Sequence, residues 1–399
     1  MAVGFGLAPE QSAVKQLIRA FVEREVKPAA LERDRRADHA GRIPWDWIET
    51  LSAMGVRTMP VPVELGGVGA GVLTCCVAGE ELAAGDLGLA VALDQTWKFV
   101  PLITNACTGE QRERFLPAFL EDPRYLLAIA VHEDNAGSDH FLPYNVPPHG
   151  AKTTARPDGH GNWVLDGAKT YISNGGLARL HIVLARTEPG TGGIEGLTAF
   201  FVERDTPGFT IGRVDDKLGQ RLVQNAELIF DGCVVAEANM LGGRGEGMRI
   251  TRRHMRARGM PQVAATAIGV ARAAFEAARE HARSHVQGGT EIVNHDIVAL
   301  MLADMDLAIE AARTLTWRAA VACDTGDRVD PRLPEMAKEL ASETAVKVCL
   351  QALELFAGAG IMLDHPAQKY VRDAVTFYHS EGTNQVMRLR RANRFKTRS

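Results

Sequence analysis

The sequence predicts an α+β protein of three consecutive domains: an N-terminal α-helical domain over residues 1–125, a middle antiparallel β domain over 126–240, and a C-terminal, four-helix-bundle-like α domain over 241–399. Three observations carry this reading. The chain, at 399 residues, exceeds the length at which a single core keeps growing. Apolar residues recur at helical spacing up to Phe119 and again from Gly247, whereas between Leu126 and Val235 they gather in short runs separated by Gly, Pro and Asp. The C-terminal helical patterns are long and joined by short connections, as in a bundle.

From Pro9, the positions Val14, Leu17, Ile18, Phe21 and Val22 mark a first amphipathic helix. A second starts at Pro44, runs through Trp47, Ile48, Leu51 and Met54, and stops at Gly55. Residues 60–71 read as loop; helical patterns resume from about Thr74, and Thr108 is placed to start a helix before Gln111. In the middle, 126–131 is a short apolar run, and 163–165 and 170–172 flank Asp166-Gly167, a pair suited to a tight hairpin turn. Further strands are expected at 180–185, 197–203, 209–214, 226–230 and 233–235. Beyond Gly247, the Ala-rich stretch 263–282 suggests close helix packing. Leu300, Ala303, Leu307, Ala311 and Leu315 mark one face of a long helix, expected to be core, and 336–356 supplies another helix.

Composition excludes several classes. Hydrophobic residues are 46% and charged residues 24%, ordinary for a globular chain, and the net charge of -4 comes without a long run of like charge. Neither a nucleic-acid stripe nor a polybasic membrane patch is indicated, and the Arg-rich tail over 388–398 reads as a solvated helix end. No stretch of about 18 uninterrupted apolar residues and no leader-like N-terminus occurs, so the expected location is cytoplasmic. Six cysteines lie scattered without a CxxC pair, as reduced thiols do, and no histidine spacing suggests a metal.

The candidate chemistry sits in Phe377-Tyr378-His379-Ser380-Glu381-Gly382-Thr383-Asn384-Gln385. Glu381 is a carboxylate placed in a loop after a long helical region, a candidate base; Gly382 can take a positive φ and admit a ligand to the backbone. By itself a Glu-Gly-Thr triplet is more often an ordinary helix-flanking turn than a catalytic loop.

Several motifs stand in register with it. They are Pro62-Val63-Glu64-Leu65-Gly66-Gly67, His132-Glu133-Asp134-Asn135-Ala136-Gly137-Ser138-Asp139, Gly167-Ala168-Lys169-Thr170-Tyr171-Ile172-Ser173-Asn174-Gly175, Lys217-Leu218-Gly219-Gln220-Arg221, and Tyr370-Val371-Arg372-Asp373-Ala374 ahead of Glu381-Gly382-Thr383. In this order the chain resembles the acyl-CoA dehydrogenase family over nearly its whole length. The resemblance implies FAD-dependent α,β-dehydrogenation of an acyl-CoA thioester: a base takes the α-proton, and a flavin accepts the hydride that no side chain can accept. Glu381 would be that base, its pKa raised by desolvation. The resemblance also implies a homotetramer, a dimer of dimers, that passes electrons to an electron-transferring flavoprotein.

Carried over by the same resemblance, Ile129, Val131, His132, Gly137, Ser138, Tyr171, Ile172 and Ser173 would border the flavin, with Thr383, Asn384 and Gln385 beside the rest of the dinucleotide. His285, Gln287, Asp296, Glu354, Phe356 and Gly358 would serve its adenosine end, and Ser138, Arg258, Met260, Ser380 and Gly382 the substrate. The departures from the family pattern are His132 for Thr, His285 for Arg, Gly288 for Phe, Asp296 and Glu354 for Gln, Ala357 for Gly, Met260 for Arg, and Ser380 for an aromatic. Two of the adenosine-side changes, Asp296 and Glu354, exchange an amide donor for a carboxylate. Ser380 leaves room for a branched or cyclic acyl group. The alternatives on the same fold are an acyl-CoA oxidase or desulfinase, and a catalytically weak partner subunit of a hetero-oligomer.

Overall fold

A computed structural model describes residues 6–140, 142, 150–188, 190–192, 194–326, 330 and 332–396. The N-terminal helices are α1 (Pro9–Phe21), α2 (Lys27–Arg35), α3 (His39–Arg42), α4 (Trp45–Ala53), α5 (Val72–Gly85), α6 (Leu87–Thr104) and α7 (Gly109–Glu121). Local chemistry sets their ends. Pro9 stands at the start of α1, Asp38 accepts from the N–H groups of Ala40 and Gly41, and Thr108 and Gln111 form a capping box on α7. Between α1 and α2 the chain continues as a π-helical segment, Val22–Val26.

The middle strands are β1 (Leu127–Ala130), β2 (Thr154–Pro157), β3 (Asn162–Ser173), β4 (Leu180–Arg186), β5 (Leu197–Glu203), β6 (Phe209–Val214), β7 (Asn225–Ala236) and β8 (Met240–Leu241). They form one sheet in the order β6-β7-β3-β2-β4-β5-β8, with β1 added beside β4. Most pairs are antiparallel, but β1 runs parallel to β4, which the sequence pattern did not anticipate. Asp166-Gly167 is not a turn. It lies inside the continuous strand β3, at a register shift against β7, and Gly167 (φ 139) is required there because a Cβ would meet the Thr153 backbone at 2.8 Å. The expected strands 226–230 and 233–235 are likewise one strand, and Asp166 Oδ1 accepts from the N–H of Gly232 across the two irregularities at 2.8 Å.

The C-terminal part comprises α8 (Gly247–His254), the π-helical segment Met255–Gly259, α9 (Met260–Ser284), a short hairpin of β9 (Val286–Gln287) and β10 (Thr290–Glu291), α10 (Asp296–Thr325), α11 (Arg332–Leu355), α12 (Ala357–Gly360), α13 (Pro366–Val375) and α14 (Asn384–Lys396). One core joins α1, α4, α5 and α6 to α9, α10, α11 and α13; a second lies between α6–α7 and one face of the sheet. Buried area of this kind contributes about 25 cal/mol per Å² and dominates the stability. The stripe Leu300, Ala303, Leu307 and Ala311 does not join it: Leu300 is 67% and Leu307 70% exposed, while Leu302, Met305, Ile309 and Ala312 face inward. The Arg-rich tail is only partly solvated. Arg390 is buried against Glu335 at 2.9 Å, and Arg388 and Arg391 pair with Glu339; Arg398 lies outside the described residues.

Candidate active site

Glu381 follows a single 3-10 turn, Thr376–Tyr378, and precedes α14. Its backbone is left-handed (φ 54), as is that of Gly382 (φ 94), so two consecutive residues reverse the chain. For a glutamate this costs on the order of 1 kcal/mol, held by the surroundings. Those surroundings are polar contacts from α11: Lys338 Nζ donates to the Gly382 carbonyl at 2.8 Å and to Asn384 Oδ1 at 2.7 Å. Ser380 Oγ donates to the Thr376 carbonyl at 3.1 Å, and the Thr383 hydroxyl accepts from the N–H of Val386 at 3.3 Å.

The Glu381 side chain is 6% exposed, and its Oε1 accepts from Lys98 Nζ at 2.9 Å and from the Gln95 amide at 3.4 Å. Lys98 is itself wholly buried and lies 2.5 Å from Asp94 Oδ2, one turn back on α6. That contact is an ion pair rather than a well-directed hydrogen bond: neither Asp94 oxygen has a hydrogen-bond partner among the described residues. Burial pushes the Asp94 carboxyl up to about 6 against the pull of Lys98. Burial also opposes the Lys98 charge, but Asp94 and Glu381 outweigh it and hold the ammonium above its ordinary value. Glu381 is therefore not a carboxylate shaped by desolvation alone, as expected from the sequence, but one member of a buried charged triad. Its other oxygen, Oε2, is buried without a partner among the described residues and faces Gly259, where a Cβ would lie 3.1 Å from it.

The residues expected on the flavin side lie on β1, on β3 and in the turn over 132–140. Ile129 is half-buried on β1 and Val131 is buried just beyond it; the turn over 132–140 carries His132, Gly137 and an exposed Ser138. The His132 carbonyl accepts from the N–H of Thr170, which ties this turn to β3. Burial pushes the His132 imidazole down, so it is neutral at pH 7, although Glu381 nearby works the other way. On β3, Ile172 is buried, Ser173 is half-buried, and Tyr171 (φ 59) turns its ring outward, 58% exposed. Asn384 is buried and committed to Lys338, leaving only its Nδ2 without a partner among the described residues, and Gln385 is exposed.

The residues expected at the adenosine end form a separate group. His285 stacks on His281 (4.7 Å between centroids), and tilted ring contacts continue from His281 to Phe356 (4.6 Å) and from Phe356 to His365 (4.3 Å). Gln287 lies on β9 and its carbonyl meets His295 Nε2 at 2.9 Å; Asp296 opens α10, where a carboxylate suits the positive helix end. Glu354 and Gly358 are exposed near Phe356. On the substrate side, Met260 is 1% exposed, and Arg258 Nη1 is buried with no partner among the described residues.

The π segment that carries Arg258 and Gly259 also borders a basic cavity of about 670 Å³, lined by Arg249, Arg252, Arg253, Arg256, Met248 and Cys323 among others. Five arginines fall within residues 249–258, and four of them, Arg249, Arg252, Arg253 and Arg256, stand at spacings of three and four that put them on one helical face; this run is the signal in the sequence that the overall charge balance hides. A π segment is itself frequent at functional sites.

The acyl-CoA dehydrogenase N-terminal domain matches residues 8–122, the middle domain 128–233 and the C-terminal domain 245–395. An acyl-CoA dehydrogenase of Bacillus subtilis is 34% identical over 382 residues, 95% of this chain and 96% of that protein. The chain belongs to the acyl-CoA dehydrogenase family. The structure of butyryl-CoA dehydrogenase from Megasphaera elsdenii superposes with a TM-score of 0.91 at 33% identity, covering 99% of this chain and 100% of that one. A chain in a structure described as the electron transferring flavoprotein of Acidaminococcus fermentans superposes at 0.90 with 32% identity, covering 99% and 100%. These relatives favour the dehydrogenase over the oxidase, desulfinase and partner-subunit alternatives.

Members of the acyl-CoA dehydrogenase family use FAD. The residues present fit it. The His132 imidazole, kept neutral by burial, lies within electrostatic reach of Glu381, whose Oε2 is buried without a partner among the described residues, and Tyr171, on a left-handed backbone, leaves its ring exposed. Tyr171 is not part of the sheet core, its ring being 58% exposed. What sequence reasoning missed is Lys98, Asp94, Lys338 and the arginine cavity. A lysine four residues after an aspartate inside an otherwise apolar helix was the available sign.

Proposed function

We propose that Glu381 takes the α-proton of a short acyl-CoA thioester. The observation that carries this is the buried, unpartnered Oε2 of Glu381, which faces Gly259 at the end of the π segment that also borders a basic cavity able to hold a phosphorylated carrier. Bound FAD supplies a hydride acceptor for the hydrogen leaving Cβ. Tyr171, Ser173, His132 and Ser138 line its ring, and His285, Gln287, Asp296, Glu354, Phe356 and Gly358 meet the adenosine end across a subunit boundary. Arg249, Arg252, Arg253 and Arg256 bind the CoA phosphates, so raising the salt concentration should raise KM. Gly382 and Ser380 border the reacting carbons. A short acyl group is favoured by the likeness to the butyryl-CoA dehydrogenase of Megasphaera elsdenii, 33% identical.

We infer a homotetramer, a dimer of dimers. The exposed stripe of Leu300 and Leu307 on α10 supports it, since covering each leucine contributes about 1.5–3 kcal/mol. Sedimentation equilibrium at four chain masses tests it, and a monomer at micromolar concentration would refute it. An electron-transferring flavoprotein is the electron acceptor, by analogy with the Acidaminococcus fermentans structure. The enzyme works in the cytoplasm, in keeping with six thiols that are all unpaired.

The central test is Glu381→Gln, which removes the base at almost constant volume. Turnover should fall at least ~100-fold while flavin content and thioester binding persist; turnover within a few-fold of wild type places the base elsewhere.

A further inference from the structure

We propose that Lys98 is a positioning residue for the base: with Gln95 it clamps Oε1 of Glu381 and leaves Oε2 as the oxygen that receives the proton, while Asp94 sets how much of the lysine charge the base feels. The proposal rests on the reading of Glu381 as the base.

The argument begins in α6, where seventeen of the eighteen residues are buried. An ammonium there must be paired, and Lys98 is paired twice, to Asp94 at 2.5 Å and to Glu381 at 2.9 Å. Both of its contacts, like that of Gln95, go to single oxygens, so the second oxygen of Glu381 is left without a donor. A buried polar atom without a partner is costly and uncommon; a proton-accepting oxygen waiting for a substrate is a physical reason for one. Gly259 on the π segment faces both side chains, and the absence of a Cβ there, which would lie 3.1 Å from Glu381 Oε2 and 3.6 Å from Lys98 Cδ, keeps the approach to Oε2 open.

Other charges facing the carboxylate do not substitute for Lys98. His132, beyond β1, is kept neutral by burial. Lys338, on α11, points its ammonium at the Gly382 carbonyl and Asn384. Arg258, on the π segment, lies one residue from Gly259 but makes no ion pair with Glu381. Lys98 is the one cation within ion-pair distance of Glu381 among the described residues.

The test is the pH profile of kcat/KM for the FAD-loaded enzyme, with butyryl-CoA as the probe thioester, in wild type, Lys98→Met, Asp94→Asn and Glu381→Gln. An opposite charge favours a carboxylate's ionised form and a like charge disfavours it. Lys98→Met should therefore move the acid limb up by about one pH unit or more, and Asp94→Asn should move it down. In the ligand-free protein, the protonated-carboxyl infrared band that is missing from Glu381→Gln should titrate in the same order across the variants. Parallel shifts, or an acid limb within ~0.3 unit of wild type in both variants, would overturn the clamp. Should Lys98→Met fail to fold, Asp94→Asn decides alone: an unmoved or rising limb overturns the proposal. If Glu381→Gln turns over normally, the base assignment falls and the clamp with it, whereas a dead Glu381→Gln with unmoved Lys98 and Asp94 profiles removes the clamp only.

Discussion

Lys338 Nζ on α11 lies 2.8 Å from the carbonyl oxygen of Gly382 and 2.7 Å from Asn384 Oδ1, so the helical bundle holds the residue that follows the base by its backbone. Burial pushes this lysine down to about 8. Its hydrogen bonds help offset the strain of the left-handed Glu381, beside Gly382, which takes its positive φ without penalty.

Lys338→Met should therefore loosen the loop. The expected outcome is a kcat reduced at least ~10-fold with a smaller change in KM, because the base is misplaced rather than removed, and a loss of about 1–3 kcal/mol in stability from unsatisfied partners. Steady-state kinetics and denaturant melts check this. An unchanged kcat would mean that the turn holds its own shape.

Acid lability follows from two buried histidines. Burial pushes both His140, beneath the turn over 132–140, and His181, on β4, down to about 4. Their folded-state values lie below the unfolded value of about 6.5, so the unfolded chain binds more protons between those limits. Their stabilisation is complete above about pH 6.5 and is lost as pH falls towards 4, by up to about 3 kcal/mol each. Denaturant melts from pH 7 to 4.5 should show this decline, and His140→Phe should flatten it; a midpoint independent of pH over that range would contradict the assignment.

Acyl width is set beside the base. Ser380, where the family pattern has an aromatic ring, is turned back to the Thr376 carbonyl at 3.1 Å. Across a panel of CoA thioesters, kcat/KM should peak at about four or five carbons, with a branched ester at least equal to its linear isomer. A maximum at about eight carbons or more would refute the short-chain reading, and a clear preference for the linear isomer would refute the wide pocket.

Flavin retention depends on the stacked end of the site. His285 is braced by His281, and a single imidazole there offers fewer donors to a phosphate than a guanidinium. His285→Arg should raise the flavin-to-protein ratio after gel filtration. Equal and full occupancy in both proteins would show that other groups hold the phosphates.

By itself the sequence determined the order of helical and β segments, the capping of α7 by Thr108, and the turn that carries Glu381. These features depend on periodicity and on residues within a few positions of one another, so they are written locally. Tertiary structure decided the rest. A period of 3.6 shows that α10 has an apolar stripe but not which stripe meets the core, and the one facing outward was Leu300 and Leu307. Asp166-Gly167 has the chemistry of a turn, yet pairing on both sides of β3 absorbs it as a bulge. The partner of the candidate base is 283 residues away, on α6. An ion pair between such distant positions forms only because three helical and sheet surfaces close over it and remove the water that would otherwise solvate each charge separately.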